Sequence, residues 1–304
     1  MSSAHASHGL RIALPATSAN LGPGFDAAGL ALSMHLTIEA HSAAAFEVRA
    51  TGRDAALCAA LENNLILDTY RDVLARAGVA VQPLHLTLHN EIPLGMGCGS
   101  SAAALLAGVA LADHFGGLKL TDTDIVAEAS RREGHPDNVA ACWYGGFTVS
   151  AQDNGRIEAA TFPGDPTWEM LLAVPAASLA TKKARALLPE SYPKADAIFN
   201  VQRASLLVAA FAQGRLDLLA TAMQDRMHQP YRAVACPLLK TLLPLAAEPE
   251  IAGVALSGAG PSVLLFLAPG TSLLAAETRL SALLDASVEV LPLRIAEGVV
   301  RTIL

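Results

Sequence analysis

The stretch Pro93-Leu94-Gly95-Met96-Gly97-Cys98-Gly99-Ser100-Ser101-Ala102 decides how the rest of the chain is read. Its alternating glycines give a backbone that can take positive φ and approach a ligand closely. The alanine-rich run that follows, to His114, is apolar on every side, which predicts a helix buried at the centre of the fold. Ser100 or Ser101 would cap that helix, and Gly116-Gly117 would stop it. Unpaired N–H groups at such a helix start carry roughly half a positive charge, so loop and helix form a phosphate site that needs no lysine. The hydroxyls of Ser100 and Ser101 would stand beside it, within reach of a phosphate oxygen or Mg²⁺. The Walker pattern is absent, and no acidic residue follows a second strand at the offset a dinucleotide fold requires. The competing reading is a tight loop whose glycines serve only helix–strand packing.

Working outward, Leu84 to His89 alternates as a strand, and Asn63 to Ala77 puts Leu65, Ile66, Tyr70, Val73 and Leu74 on one side of a helix. Leu30 to Glu39 and Phe46 to Ala50 read as strands. Glycine, proline, serine and asparagine cluster in Pro15 to Asp26, which reads as a loop. Thr121 to Arg132 reads as a helix opened by a Thr121–Asp124 capping box, and a short helix starts near Pro136-Asp137 and ends before Gly145-Gly146. Segment 153–167 is polar and rich in proline and glycine, and a boundary placed near residue 165 gives domains over 1–165 and 166–304. Beyond it come a strand at Met170–Val174, helices at about 195–213, 215–227 and 237–247, and strands near 252–256 and 262–267. A helix at 272–285 and a strand at 287–294 follow. This order predicts an α+β fold rather than a doubly wound parallel sheet.

Composition bounds the function. A chain of 304 residues that is 52% hydrophobic and 16% charged builds a large core and is not disordered. A net charge of −7 leaves no lysine/arginine surplus to displace phosphate counterions, which excludes a general nucleic-acid binder. Cys58, Cys98, Cys142 and Cys236 are far apart and read as free thiols in a reducing compartment. The first ten residues lack the basic start and apolar stretch of a signal peptide. The most apolar tract, Ala102 to Ala112, falls far short of the ~20 residues a membrane helix needs. The expectation is a cytoplasmic protein with a small-molecule partner and no nucleic-acid or membrane partner.

Pro93, Gly97, Gly99, Ser100, Ser101 and Ala102 together resemble the phosphate loop of the GHMP small-molecule kinases, with Cys98 where leucine is usual. That difference is one of side-chain size, not of backbone chemistry. Three further motifs extend the resemblance over about residues 11–300. Pro15-Ala16-Thr17-Ser18-Ala19-Asn20-Leu21-Gly22-Pro23-Gly24-Phe25-Asp26 is similar to the N-terminal motif of the homoserine kinases within that family. The resemblance implies that Asn20 holds a substrate hydroxyl and Asp26 a substrate ammonium; on the residues alone, an asparagine/aspartate turn serves as well. Glu133-Gly134-His135-Pro136-Asp137-Asn138-Val139-Ala140 resembles a loop-to-helix motif of the same proteins, which implies His135, Asp137 and Asn138 at the substrate. It also implies Mg²⁺ held by the second serine and a helix glutamate: Ser101 with Glu128 is the expected pair, and Glu133 the competing choice. Asn138 stands where mevalonate kinases place an aspartate, and an amide cannot take the hydroxyl proton. Catalysis would then rest on positioning and charge stabilisation, with Asn20, Asn138 and Glu128 as the catalytic set.

The third motif resemblance lies in the second half. Thr181-Lys182-Lys183-Ala184-Arg185 and Asp225-Arg226-Met227-His228-Gln229-Pro230-Tyr231-Arg232 resemble segments that grip the substrate carboxylate. This implies Thr181, Arg185 and Arg232, with Arg226 as a substitute, and guanidinium forks suit a planar carboxylate. Seen singly, each arginine would serve equally as a surface ion pair. Gly253 to Ser262 resembles the glycine-rich turn that packs beside the phosphate loop, implying nucleotide contacts at Gly258 and Gly260. Asn64 stands where related kinases contact adenine. The implied ATP site comprises Asn64, Pro93, Gly95, Gly97, Cys98, Gly99, Ser100, Ser101, Ala102, Gly258 and Gly260. As a whole the resemblance implies an ATP- and Mg²⁺-dependent kinase acting on L-homoserine in threonine biosynthesis. The N-terminal domain would be like the second domain of ribosomal protein S5 and the C-terminal domain ferredoxin-like, with the ligands in the cleft between. The alternatives are a GHMP kinase for another hydroxyl compound, or a nucleotide-binding sensor without catalysis. A homodimer is the assembly left open beside a monomer.

Overall fold

The structure, a computed structural model, describes residues 9–177 and 181–304, apart from the side chains of Thr181 and Lys182. Strand β1 (Leu10–Asn20) pairs antiparallel with the long strand β2 (Gly24–Ser42). The segment expected as a loop, Pro15 to Asp26, is therefore mostly ladder. Pro15 is tolerated because the register shifts between Pro15 and Ala16, and only the tip at 21–23 turns. Asn20, Leu21, Gly22 and Asp26 all take positive φ to make that turn. Strand β3 (Glu47–Gly52) is joined by α1 (Ala55–Cys58) and α2 (Leu65–Arg76) to β4 (Leu84–Asn90), which pairs parallel to β3 and antiparallel to β2.

After the glycine loop come α3 (Ser100–Gly116), α4 (Asp122–Glu133) and α5 (Asp137–Tyr144). The expected Thr121–Asp124 capping box opens α4, with Thr121 Oγ1 accepting from Asp124 N. The hairpin β5 (Phe147–Asp153) and β6 (Arg156–Phe162) then adds to β2, so much of the polar stretch before residue 165 is a solvent-facing strand. Helix α3 lies at the centre, as its all-round apolarity predicts, and packs on α2.

The second sheet holds β7 (Met170–Val174), β8 (Ile251–Leu256), β9 (Val263–Leu267) and β10 (Glu289–Leu293). Between β7 and β8 run α6 (Thr181–Arg185), α7 (Lys194–Ala212), α8 (Leu219–Ala222), α9 (Gln229–Arg232) and α10 (Pro237–Leu242), and α11 (Leu273–Leu283) connects β9 to β10. The strand order β10-β7-β9-β8, antiparallel throughout, is the split βαββαβ arrangement of a ferredoxin-like domain. The expected helix over 215–227 is broken: it shrinks to a 3₁₀ turn at Leu216–Leu218 followed by α8. The Asp225 carboxylate takes the N–H groups of Met227, His228 and Gln229, which starts a new turn, α9, in place of continuing the old one. The final strand, β11 (Val300–Ile303), returns to the first sheet and pairs with β1.

β7 and β9 are apolar at every position because both of their faces are covered. Met170, Leu172, Val174, Leu264 and Phe266 join the main core, while Leu171, Ala173, Val263, Leu265 and Leu267 face a second cluster with Leu239, Leu242 and Leu280. The main core thus runs through both sheets. Phe211 of α7 stacks on Phe147 of β5 with centroids 4.0 Å apart and also meets Trp168 and Phe266. Phe211→Ala removes the ring that ties the two halves together. It should lower the unfolding free energy by about 3–5 kcal/mol in urea titration. An effect below ~1 kcal/mol would show that the halves do not depend on this cluster.

Candidate active site

A cavity of ≈ 670 Å³ lies between the glycine loop, the β1–β2 hairpin, α5 and the segments carrying Arg185 and Arg232. Gly95, Gly97 and Gly99 take φ of 71°, 76° and 71°. A Cβ at Gly97 would stand 2.3 Å from the Ser257 carbonyl oxygen, and one at Gly99 1.9 Å from Thr17 Oγ1. Packing alone therefore demands these two glycines. The same contacts fix the loop: Ser257 Oγ donates to Gly97 O at 2.7 Å, and Thr17 N donates to Cys98 O at 3.0 Å. Gly258 N in turn donates to Ala19 O. What packing does not explain is the helix start. Gly99, not a serine, is the N-cap of α3, and no side chain closes it. Ser100 and Ser101 line the cavity at that open end.

Other members of the expected nucleotide set divide. Gly95, Cys98 and Gly258 line the cavity; Pro93, Ala102 and Gly260 do not. Pro93 and Ala102 are buried, and Gly260 packs against Cys236 and Leu256. The Cys98 thiol is pushed up to about 12 by burial, so the residue acts through its backbone. Asn64 lines the cavity, but its side chain is spent on structure. It caps α2 through Ile66 N and Leu67 N and donates to Cys58 O and Ala60 O. Around it Leu57, Leu65, Ile66 and Leu88 give this end an apolar wall suited to a flat base. Asn90, which the sequence pattern does not single out, braces the same end through Arg53 O and Ile92 O.

The two glutamates offered for a metal are separated by the structure. Ser101 Oγ donates to Glu133 Oε1 at 2.6 Å, and Glu133 lines the cavity. Glu128 does not. It receives Arg131 and Arg132, and Arg132 also reaches Asp72. Although burial opposes it, those two guanidinium groups hold Glu128 below the usual carboxylate range.

At the other end, Asn138 Oδ1 accepts from Thr17 Oγ1 at 2.7 Å, which leaves its amide N–H groups for the cavity. Asp137 Oδ1 accepts from His135 Nδ1 at 2.5 Å and from the backbone N–H of Asn138. Burial works against a charged His135, but the bond to Asp137, with Glu133 and Asp26 nearby, holds the imidazole above its ordinary value. Asp26 and Arg185 form a two-pronged ion pair at 2.7 and 2.8 Å. Asp26, His135 and Asp137 bring ligand atoms within 4.8 Å of one another, yet Arg185 already pairs with Asp26 and the His135 ring with Asp137.

Asn20 lines the cavity but has both amide ends engaged, donating to Gly258 O and accepting from Asp26 N. Besides facing the cavity, where the sequence places it for a substrate hydroxyl, it ties the hairpin to the glycine turn. Arg232 is 1% exposed and lines the cavity without a carboxylate partner in ion-pair range among the described residues. Burial, then the charge of Arg185, pushes it down, a strain that an arriving carboxylate would relieve. Arg226, the substitute, pairs instead with Asp196 and covers Phe199 outside the cavity. Thr181 sits at the start of α6, and its side chain lies outside the described residues.

Comparison with known proteins matches this geometry. Residues 64–146 fit the model for the GHMP kinases N terminal domain, and residues 207–286 that for GHMP kinases C terminal. The chain is 48% identical over 258 residues to the homoserine kinase of Solibacter usitatus, covering 84% of each. It is 41% identical over 252 residues to that of Deinococcus radiodurans, covering 83% of this chain and 82% of the relative. The crystal structure of homoserine kinase from Cytophaga hutchinsonii superimposes with a TM-score of 0.80 at 26% identity, covering 99% of both chains. An open helix start behind a glycine loop, a split βαββαβ partner domain and this degree of identity have one common account: the chain belongs to the GHMP kinase family.

Proposed function

We propose that this protein transfers the γ-phosphoryl group of ATP to the side-chain hydroxyl of L-homoserine, giving O-phospho-L-homoserine, a step of threonine biosynthesis. One observation carries the reading: the same cavity holds an uncapped helix start, an aspartate and a buried arginine without an acidic partner. That set matches a phosphate chain at one end and an amino-acid zwitterion at the other. The relatives at 48% and 41% identity are homoserine kinases, which supports the same substrate.

ATP phosphates are received by the N–H groups at the start of α3, and the base lies against the apolar wall near Asn64. The Ser101 hydroxyl and the Glu133 carboxylate give the pair of hard oxygen donors that Mg²⁺ takes beside substrate phosphates. Bound there, Mg²⁺ would neutralise charge on the transferring phosphoryl group. Asp26 takes the substrate ammonium, and Arg185 with Arg232 takes the carboxylate. Asp26 and Arg185 pair with each other, so a ligand that engages both exchanges that pair for two new ones. A zwitterion can do this; a simple carboxylate leaves Asp26 unpaired. Asn138 donates to the reacting hydroxyl or a phosphate oxygen, and its amide takes no proton. With no group assigned as base, the rate rests on alignment and charge, as a loose phosphoryl transition state permits.

ADP release with Mg-ATP and a panel of L-homoserine, L-serine, L-threonine and mevalonate should be selective for homoserine. Turnover of mevalonate alone would remove the amino-acid clamp, and ATP binding without turnover would favour the sensor. Arg232→Leu should raise the KM for homoserine about 30-fold or more, of the order seen when a desolvated charge loses its partner. The KM for ATP should stay within about twofold; equal loss of both would show that Arg232 is misassigned. Glu133→Gln should weaken Mg²⁺ activation about 10–100-fold while Glu128→Gln leaves it near wild type. The reverse order in a Mg²⁺ titration would return the metal role to Glu128.

A further inference from the structure

His228 has no part in the steps above and does not line the cavity, yet its side chain is 0% exposed and both ring nitrogens are engaged. Nε2 lies 2.7 Å from the carbonyl oxygen of Gly22, in the hairpin turn, and Nδ1 lies 3.2 Å from Arg232 Nη1. The ring stacks on Phe25 at 5.3 Å. Donor and acceptor chemistry fixes its state. A carbonyl oxygen only accepts, so Nε2 carries the hydrogen; a guanidinium only donates, so Nδ1 is bare. Only the neutral Nε2–H tautomer meets both conditions. Burial first, and the charge of Arg232 with it, push His228 down against the pull of Asp225, in keeping with a neutral ring. The backbone that carries both side chains is fixed by Asp225, whose carboxylate holds three successive N–H groups and the Asn200 amide.

Arg232 depends on this ring. Its hydrogen bonds run from Nη1 to His228 and to Gly258 O, both at 3.2 Å, and, longer, from Nε to Ala184 O at 3.5 Å. The structural partners therefore occupy Nε and Nη1, which leaves Nη2 for a ligand in the cavity. We infer that His228 is a positioning residue: as the neutral Nε2–H tautomer it holds the Arg232 guanidinium in place and ties it to the Gly22 turn. Binding of the substrate carboxylate then depends on a side chain that does not touch the substrate. This rests on the reading of Arg232 as a carboxylate ligand.

The test has two arms. Ring-nitrogen NMR of ¹⁵N-histidine-labelled, ligand-free protein should show, at neutral pH, one ring with a protonated Nε2 and a bare Nδ1, assigned by its loss in His228→Asn. A protonated ring, or hydrogen on Nδ1, would overturn the inference whatever the enzyme's substrate. In the kinetic arm, His228→Asn keeps an acceptor near the Nδ1 position, whereas His228→Gln keeps a donor toward Gly22 and loses that acceptor. The homoserine KM should rise about tenfold or more in the Gln variant and no more than about threefold in the Asn variant, the scale of one hydrogen bond to a charged group. ATP KM and kcat should stay within about twofold in both. Equal losses, or a larger loss for Asn, would mean that His228 only fills space and pins the turn, and would overturn the inference. Wild-type protein without homoserine turnover would overturn the proposed substrate instead, while the tautomer measurement still decides how Arg232 is held.

Discussion

The site depends on a backbone seam in which the glycine loop is clasped between β1 and the Ser257–Gly260 turn. Thr17 N holds Cys98 O, Ser257 Oγ holds Gly97 O, and Gly258 N holds Ala19 O. These contacts leave no room for a Cβ at Gly97 or Gly99. Because the partners come from both halves of the chain, the loop takes its shape only when the halves meet. A phosphate site built from peptide N–H groups needs this rigidity, since such donors can be aimed only by fixing the whole backbone.

The polar residues of the cavity also serve each other. Asn20 bridges the hairpin and the glycine turn, Thr17 orients the Asn138 amide, and Asp26 with Arg185 closes on itself. A cavity lined by unpaired charges would cost several kcal/mol per group in desolvation. Here Arg232 is the buried charge left without an acidic partner among the described residues, and neutral acceptors hold it.

The fold was legible where one physical signal dominated. The apolar surround of α3, the Thr121–Asp124 box and the continuous apolar runs of β7 and β9 each admit a single reading. The Pro15–Asp26 hairpin was not legible, because a bulge hides Pro15 in a ladder and the turn residues spread over both strands. The 215–227 helix stops at Ala222, and the Asp225 side chain then takes the backbone N–H groups that open the next turn, a local choice the periodicity does not register. For the site, residue type and order brought most of the expected members to one cavity. They could not tell which amides were already committed, as for Asn20 and Asn64, nor which glutamate on one helix turns inward. Glu128 and Glu133 are five positions apart, and only the placement of Arg131, Arg132 and Asp72 separates them.

The return of β11 to β1 gives the molecule a topology in which the second sheet is an insertion within the first. A fragment cut at the connection near residue 165 would leave the outer edge of β1 as a row of bare peptide groups. Such an edge is a template for pairing with another chain. In the whole protein that edge is covered by a strand of only four residues, pinned through Arg301 to Asp122 and Trp143. The sheet therefore ends on a strand of four residues, a short edge that offers another chain little length to pair with, a matter quite separate from the chemistry in the cleft.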